Sequence, residues 1–353
     1  MRRSLPLVLA VAAACSPPKP PPSIAVAATV DTLVVPAVGV ATAVPQSAGR
    51  WVLLAPIDNQ LFVVDFDAKS VTRVPGITSA DVPHPITLIG SGDTIIVGDW
   101  GLRRFTAWAS GQRLAAWPAP DALHGALPRA RDAAGQWYFQ LSPDAKIDGS
   151  GLLDSSVVVR GDPQLTKFDT LTRLSPPELV QVAGVDGEHW QRRVLGGDDA
   201  WGVLPNGTLW VARVFQNQIE WHHPGAKKVL RSPMLPDPVL TVTPMDRELW
   251  ARHFPEDQRA DARLLPNVAT KPPFEHVFVT PDHRMWLAKS DTALSPVRHF
   301  QVVDSSGVLD VVTVPSRGFA LGVDGNYILM GEEFPGGIRL LRYPVPAEAK
   351  GQQ

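Results

Sequence analysis

An all-β fold, a six-bladed β-propeller, is what this sequence predicts, on three observations. A turn residue, one variable residue and three or four apolar residues recur six times. The copies open at Gly49, Gly92, Gly135, Gly207, His283 and Gly325, spaced 43, 43, 72, 76 and 42 residues apart. A second apolar element follows most copies at a similar offset, and in several a polar turn and a further strand come next. Short strands repeating with a period in the low forties are the pattern of four-stranded propeller blades. Glycine and asparagine recur at the turns because tight hairpins need φ > 0 there.

The fullest copy is Asn206-Gly207-Thr208-Leu209-Trp210-Val211-Ala212-Arg213. Its looser relatives include Gly49-Arg50-Trp51-Val52-Leu53-Leu54 and Gly135-Gln136-Trp137-Tyr138-Phe139. The following elements read as third strands: Leu61–Asp65, Arg104–Trp108, Leu165–Asp169, Gln218–Trp221, His299–Asp304 and Ile338–Tyr343. The segment just before each turn reads as the innermost strand. Trp51, Trp137, Trp210 and Trp286 belong to the repeated strand, so packing between blades is their expected role.

The two long steps read as insertions. Blade 3 carries extra residues over 142–161 and 176–193, with a further strand at Val157–Val159. Between blades 4 and 5 a short helical insertion is expected over about 243–265. Thr243-Pro244-Met245-Asp246 supplies a cap, proline at the first helical position and an acidic residue three after the cap. Met245, Leu249 and Trp250 share one side, so this piece covers the propeller's side or rim, or acts as a lid. After Tyr343 only a proline-rich turn and a polar tail, 347–353, remain. Blade 6 therefore lacks a fourth strand, and Thr32–Val35 is expected to supply it and seal the ring. The propeller then spans 30–346.

Units such as Leu204-Pro205-Asn206-Gly207-Thr208-Leu209-Trp210-Val211-Ala212 resemble the blades of bacterial six-bladed propellers of the NHL and TolB-like kind. That resemblance implies a binding module, a scaffold, or one of a few hydrolases and lyases; fold alone does not choose among them.

The start of the chain points to export. Met1-Arg2-Arg3 precedes an apolar run, Leu5 to Ala14, which reads as a signal peptide over 1–14. Cys15, the only cysteine, stands at the expected cleavage site and resembles the lipidated cysteine of bacterial lipoproteins. The other reading is an ordinary secreted protein with Cys15 inside the discarded peptide. With one cysteine no intrachain disulfide is possible. Residues 15–29 form a proline-rich tether, a semi-rigid spacer. These readings put the chain in the bacterial cell envelope, on the membrane through a lipid anchor at Cys15. A net charge of −2 with 19% charged residues gives no basic excess, so nucleic acid is not an expected partner.

Candidate site residues lie at the channel mouth, on or beside the inner strands: His84, Arg129, Arg131, Asp198, Asp199, Glu275, His276 and Arg317. Three readings fit them. The charges pair internally; or Arg131 and Arg317 hold a small or anionic ligand; or His84, His276 and Asp199 hold a divalent metal, though no local spacing motif supports this. No nucleophile elbow, phosphate-binding loop or His-Glu-x-x-His is present. The expected function is a binding module for a small ligand or an envelope protein, with no catalysis assigned and no cofactor. The alternative is a metal-dependent hydrolase or lyase, lactonase-like, with a divalent ion in the central channel. The arginines there would repel a cation.

Overall fold

The computed structural model describes residues 23–27, 31–142, 155–184 and 187–350. Cys15 and residues 1–22, and with them the leader, the lipidation and most of the tether expected over 15–29, lie outside the described residues; residues 23–27, at the end of that tether, pack against the propeller. The six-bladed propeller is present. Six sheets of four or five strands follow one another along the chain. Their inner strands are Thr42–Pro45, Pro85–Ser91, Pro128–Arg131, Ala200–Val203, Phe274–Val279 and Phe319–Val323. Each contacts the next in that order, and the last contacts the first, which closes a ring around a central channel.

The second strand of each blade is sandwiched between neighbouring blades, so it is apolar on both faces. In blade 1, Arg50–Ala55, every residue from Trp51 to Ala55 is buried. Trp51, Trp137, Trp210 and Trp286 are all buried, as inter-blade packing requires. Phe105, Trp117 and Trp137 form one such seam between blades 2 and 3, with ring centroids 4.8 to 5.4 Å apart. The turn at Asn206-Gly207 places Gly207 at φ +82°. The Asn206 side chain accepts the Thr208 N–H at 3.0 Å and stiffens the turn.

The ring closes through its two ends. Asp31–Val35 pairs antiparallel with Gly337–Pro344 as the outermost strand of blade 6, and Val35 is fully buried. A second N-terminal strand, Ser23–Ala25, was not apparent from the sequence. It lies parallel on Gly307–Val314 and gives blade 5 a fifth strand.

Blade 3 corrects one strand assignment. Its third strand is Val157–Gly161, and Phe168–Arg173 is the fourth. The segment Leu165–Asp169, expected as the third strand, straddles the turn between them. Asp162 accepts from the Thr166 backbone and hydroxyl, and Leu165 takes φ +60°, so the backbone reverses where an apolar–polar alternation suggested extension. The stretch after blade 3 forms a separate hairpin, Leu179–Gly184 with Gly187–Arg192.

Between blades 4 and 5 stand two short helices, α1 (Pro244–Ala251) and α2 (Arg259–Leu264). Thr243 and Asp246 cap α1 reciprocally, as the sequence pattern implied. No helix among the described residues is long and apolar enough to cross a membrane.

Candidate functional site

Helix α1, the starts of the inner strands of blades 4 and 5, Arg317 just ahead of the inner strand of blade 6, and the loop 290–297 of blade 5 surround a cleft of about 670 Å³ at one rim. Its apolar wall includes Leu249 and Trp250 of α1, Phe274 and Leu294. Asp198, Asp199, Asp246, Glu275, Lys271, Arg298 and Arg317 supply the charged part of the lining. The helix roof is fixed by Lys271, whose Nζ meets Asp246 Oδ1 at 2.5 Å and the Asp291 carbonyl at 2.5 Å. Burial pushes the Asp246 pKa up, but the bonds from Lys271 and Thr243 together outweigh it, so Asp246 titrates below its ordinary range.

The inner strands of blades 2, 3, 5 and 6 carry a register shift near their start. In blade 5 the shift falls between Phe274 and His276, so Glu275 is the extra residue. A bulge re-aims its side chain, and Glu275 and His276, adjacent in sequence, are both exposed toward the channel. The Glu275 side chain is 38% exposed, but the protein around it still disfavours the charged form. The surrounding protein mass sets the titration. Burial pushes Glu275 up, against the opposing charge of Arg298 at 3.9 Å. Burial, followed by the positive field of Arg298, holds His276 down and favours the neutral ring. Arg129, the corresponding extra residue of blade 3, donates to Gln140 Oε1 at 2.7 Å, which also accepts from the Trp201 indole at 2.9 Å.

The acids of the cleft each have a cation. Asp198 meets Arg192 at 2.7 Å. Asp199 meets Arg213 at 2.8 Å. Asp246 meets Lys271, and Glu275 faces Arg298. Arg317 is exposed, lines the cleft and has no such partner among the described residues. An unmatched guanidinium beside an apolar wall suits a carboxylate or phosphate on an apolar body.

The sequence-derived candidates divide accordingly. Asp199, Glu275 and Arg317 converge on the cleft, with Asp198 beside them. His276 faces the channel next to Glu275. His84 stands at the start of the inner strand of blade 2, where its backbone N–H donates to Asp99 at 2.7 Å. Arg131 does not share the cleft. It ends its strand at the turn Asp132–Gln136, on the opposite rim, with its guanidinium 4.4 Å from the Trp137 ring centroid. Arg131 and Arg317 therefore cannot hold one small ligand between them.

Asp199 is also committed to structure. Its side chain has no exposed area. It accepts the Ser175 and Val214 backbone N–H groups, the Ser175 hydroxyl and Arg213. Arg213 continues to Glu220, which Arg231 also meets at 2.9 Å. With all its acceptor sites occupied, Asp199 has none left for a metal. Blades 2 and 5, which carry His84 and His276, stand opposite each other in the ring. Among the described residues no group of three His, Cys, Asp or Glu side chains is placed to hold a metal ion. Residues that sequence reasoning did not find are Arg298, Lys271 and Leu294. Their only sequence signal is position in or beside the connections that flank blade 5.

No family model and no curated protein matches the chain. Among solved structures, the chain is similar to virginiamycin B lyase from Staphylococcus aureus at 10% identity, over 90% of this chain and 99% of that one, with a TM-score of 0.47. A chain of the mitotic checkpoint complex is similar at 11% identity over 98% and 99%, TM-score 0.48. A luciferin-regenerating enzyme is similar at 7% over 90% and 96%, TM-score 0.42. Likeness at this level carries no functional argument; the architecture rests on the sheets themselves.

Proposed function

We propose that this chain is an envelope-tethered binding module, without turnover, that takes an acid-bearing amphipathic ligand into the cleft roofed by α1. One observation carries the reading: once the acids of the cleft are paired with their cations, Arg317 is left over, beside Trp250, Phe274 and Leu294. The ligand's acid meets Arg317, and its apolar part lies along that wall. The expected anchor is lipid on Cys15, in the envelope of a bacterium. A lactonase-like hydrolase or lyase needs a metal set that His84, His276 and Asp199 do not form together.

Isothermal titration with decanoate and with decylamine tests the cleft. Decanoate should bind and decylamine should not, and Arg317→Ala should weaken decanoate at least tenfold. Equal binding of decanoate by wild type and Arg317→Ala would remove the reading. Incorporation of labelled fatty acid, lost in Cys15→Ser, tests the anchor separately.

A further inference from the structure

Among the described residues, the rim that carries the cleft also carries most of the exposed large apolar side chains. In blades 1, 2 and 4 the connection from second to third strand is a four-residue loop: 56–59, 100–103 and 214–217. Each ends on a residue with positive φ: Asn59 at 54°, Arg103 at 47° and Asn217 at 44°. The three loops thus turn the same way, and each lifts a large apolar side chain into solvent. Ile57 is 70% exposed, Trp100 60% and Phe215 51%. The longer loop of blade 5 lifts Leu294, 60% exposed. Among the described residues, no comparably exposed apolar side chain sits on the turns of the opposite rim. Three blades repeating one arrangement, with a fourth apolar tip beside them, exceed the scatter of single apolar residues found on any surface.

A second hollow of about 330 Å³ adjoins the cleft. Phe215, Met234 and Val239 line it, and Gly197, Lys271 and Pro272 are shared between the two. Gly197 makes that thin wall possible. A Cβ there would meet Pro272 Cβ at 2.5 Å and Val214 Cγ2 at 2.6 Å.

We infer that this rim is a protein-docking face, and that its occupant is a polypeptide segment in which an acidic residue is flanked by apolar ones. The inference rests on the cleft reading above and names the partner of that site. Charge complementarity selects the occupant. The acidic residue enters the cleft to meet Arg317, and its apolar neighbours cover the adjoining hollow and the loop tips. A bilayer fits the face poorly. It cannot follow a concave cleft down to a guanidinium.

Fluorescence anisotropy of the purified full chain against dye-labelled synthetic peptides tests this. Each sixteen-residue peptide, with an extended reach of about 50 Å, carries one glutamate with two leucine or phenylalanine residues on either side. Decanoate titrations run in parallel. Glutamate peptides should bind, and glutamine copies should bind at least tenfold more weakly. The double variant Ile57→Ser, Trp100→Ser should weaken the peptides at least tenfold, leaving decanoate affinity within twofold and the melting temperature unchanged. Unaltered peptide binding by that variant overturns the inference. So does decanoate binding without any peptide binding, which leaves the cleft reading standing. Sedimentation with phosphatidylcholine–phosphatidylglycerol vesicles, lost in the same variant, replaces the protein partner with a lipid surface and also overturns it. Peptide binding without decanoate binding supports the docking face and removes the free small-molecule reading.

Discussion

Arg342 and Asp31 stand 311 residues apart in the chain and 2.7 Å apart in space. The Arg342 guanidinium also reaches Asp67 of blade 1 at 2.9 Å, and lies over the Tyr327 and Phe66 rings at 4.4 and 4.8 Å. One buried cation thus joins the closing strand, blade 6 and blade 1. Its two acids are more than half exposed and re-solvate readily when it is removed. Arg342→Met should therefore cost about 2 kcal/mol, mainly from lost charge-assisted bonds. Asp31→Asn should cost well under half of that. Urea denaturation of both variants checks the ratio; equal losses would mean that the aspartate, not the stacked arginine, holds the seam.

The closing strand itself predicts a larger effect. Deleting residues 31–35 removes the antiparallel partner of Gly337–Pro344 and uncovers the apolar cluster around Val35, Leu340 and Ile338. The melting temperature should fall sharply, and the freed edge of blade 6 should promote association. Calorimetry and light scattering read the two consequences; an unchanged melting temperature would refute sealing by this strand.

Glu220 gives a pH dependence with a definite sign. Burial raises its pKa, but the bonds from Arg213 and Arg231 outweigh that, so it titrates below its ordinary 4.5 in the folded protein. A depressed folded pKa stabilises fully above the unfolded value and loses that contribution as pH falls through the folded one. Glu220→Gln should cost about 2 kcal/mol at pH 7, and the gap to wild type should narrow as pH drops below 4.5. Stability curves for the two proteins from pH 7 downward check this; a gap that stayed constant would assign the loss to packing.

Lys289 and Asp237 form a buried pair at the junction of blades 4 and 5, with Gln301 and Asn217 hydrogen-bonded to it. Burial raises the Asp237 pKa and lowers that of Lys289, so desolvation outweighs their attraction. Lys289→Met alone should cost about 3 kcal/mol by stranding a buried carboxylate. The double variant Lys289→Met, Asp237→Leu should recover most of that loss. A double-mutant cycle measures it, and no recovery would mean the pair itself is favourable.

The wall between the cleft and its neighbour predicts steric sensitivity. Gly197→Ala should push Pro272 and Val214 apart, at a cost of about 1–3 kcal/mol. It should weaken decanoate while Arg317 is untouched. Thermal unfolding alongside titration separates the two effects; wild-type values in both would show that the wall yields freely.

Much of the ring was legible in the sequence because each blade repeats a glycine-bearing turn against an apolar strand that must be buried on both faces. Trp51, Trp137, Trp210 and Trp286 declared themselves through that repetition, and the missing fourth strand after Tyr343 pointed to Thr32–Val35. Blade 3 misled because Leu165–Asp169 alternates like a strand, while the side chain of Asp162 folds it into a turn. The site was less legible. Which rim a residue occupies depends on whether it begins or ends a short strand, and this sends Arg131 away from Arg317. A bulge such as that at Glu275 leaves no local mark. The commitment of Asp199 to Arg213, Ser175 and Val214 arises from segments that meet only after folding.

The parallel strand at Ser23–Ala25 has a mechanical consequence. Tension applied to the chain ahead of Ser23 reaches the hydrogen bonds of blade 5 first, through Val311, Val312 and Thr313. Asp31–Val35, which seals the ring, takes load only after that short ladder gives way. Blade 5 thus acts as a strain relief for the seal. Under force-clamp pulling from the N-terminus, a small early extension should precede the opening of blade 6.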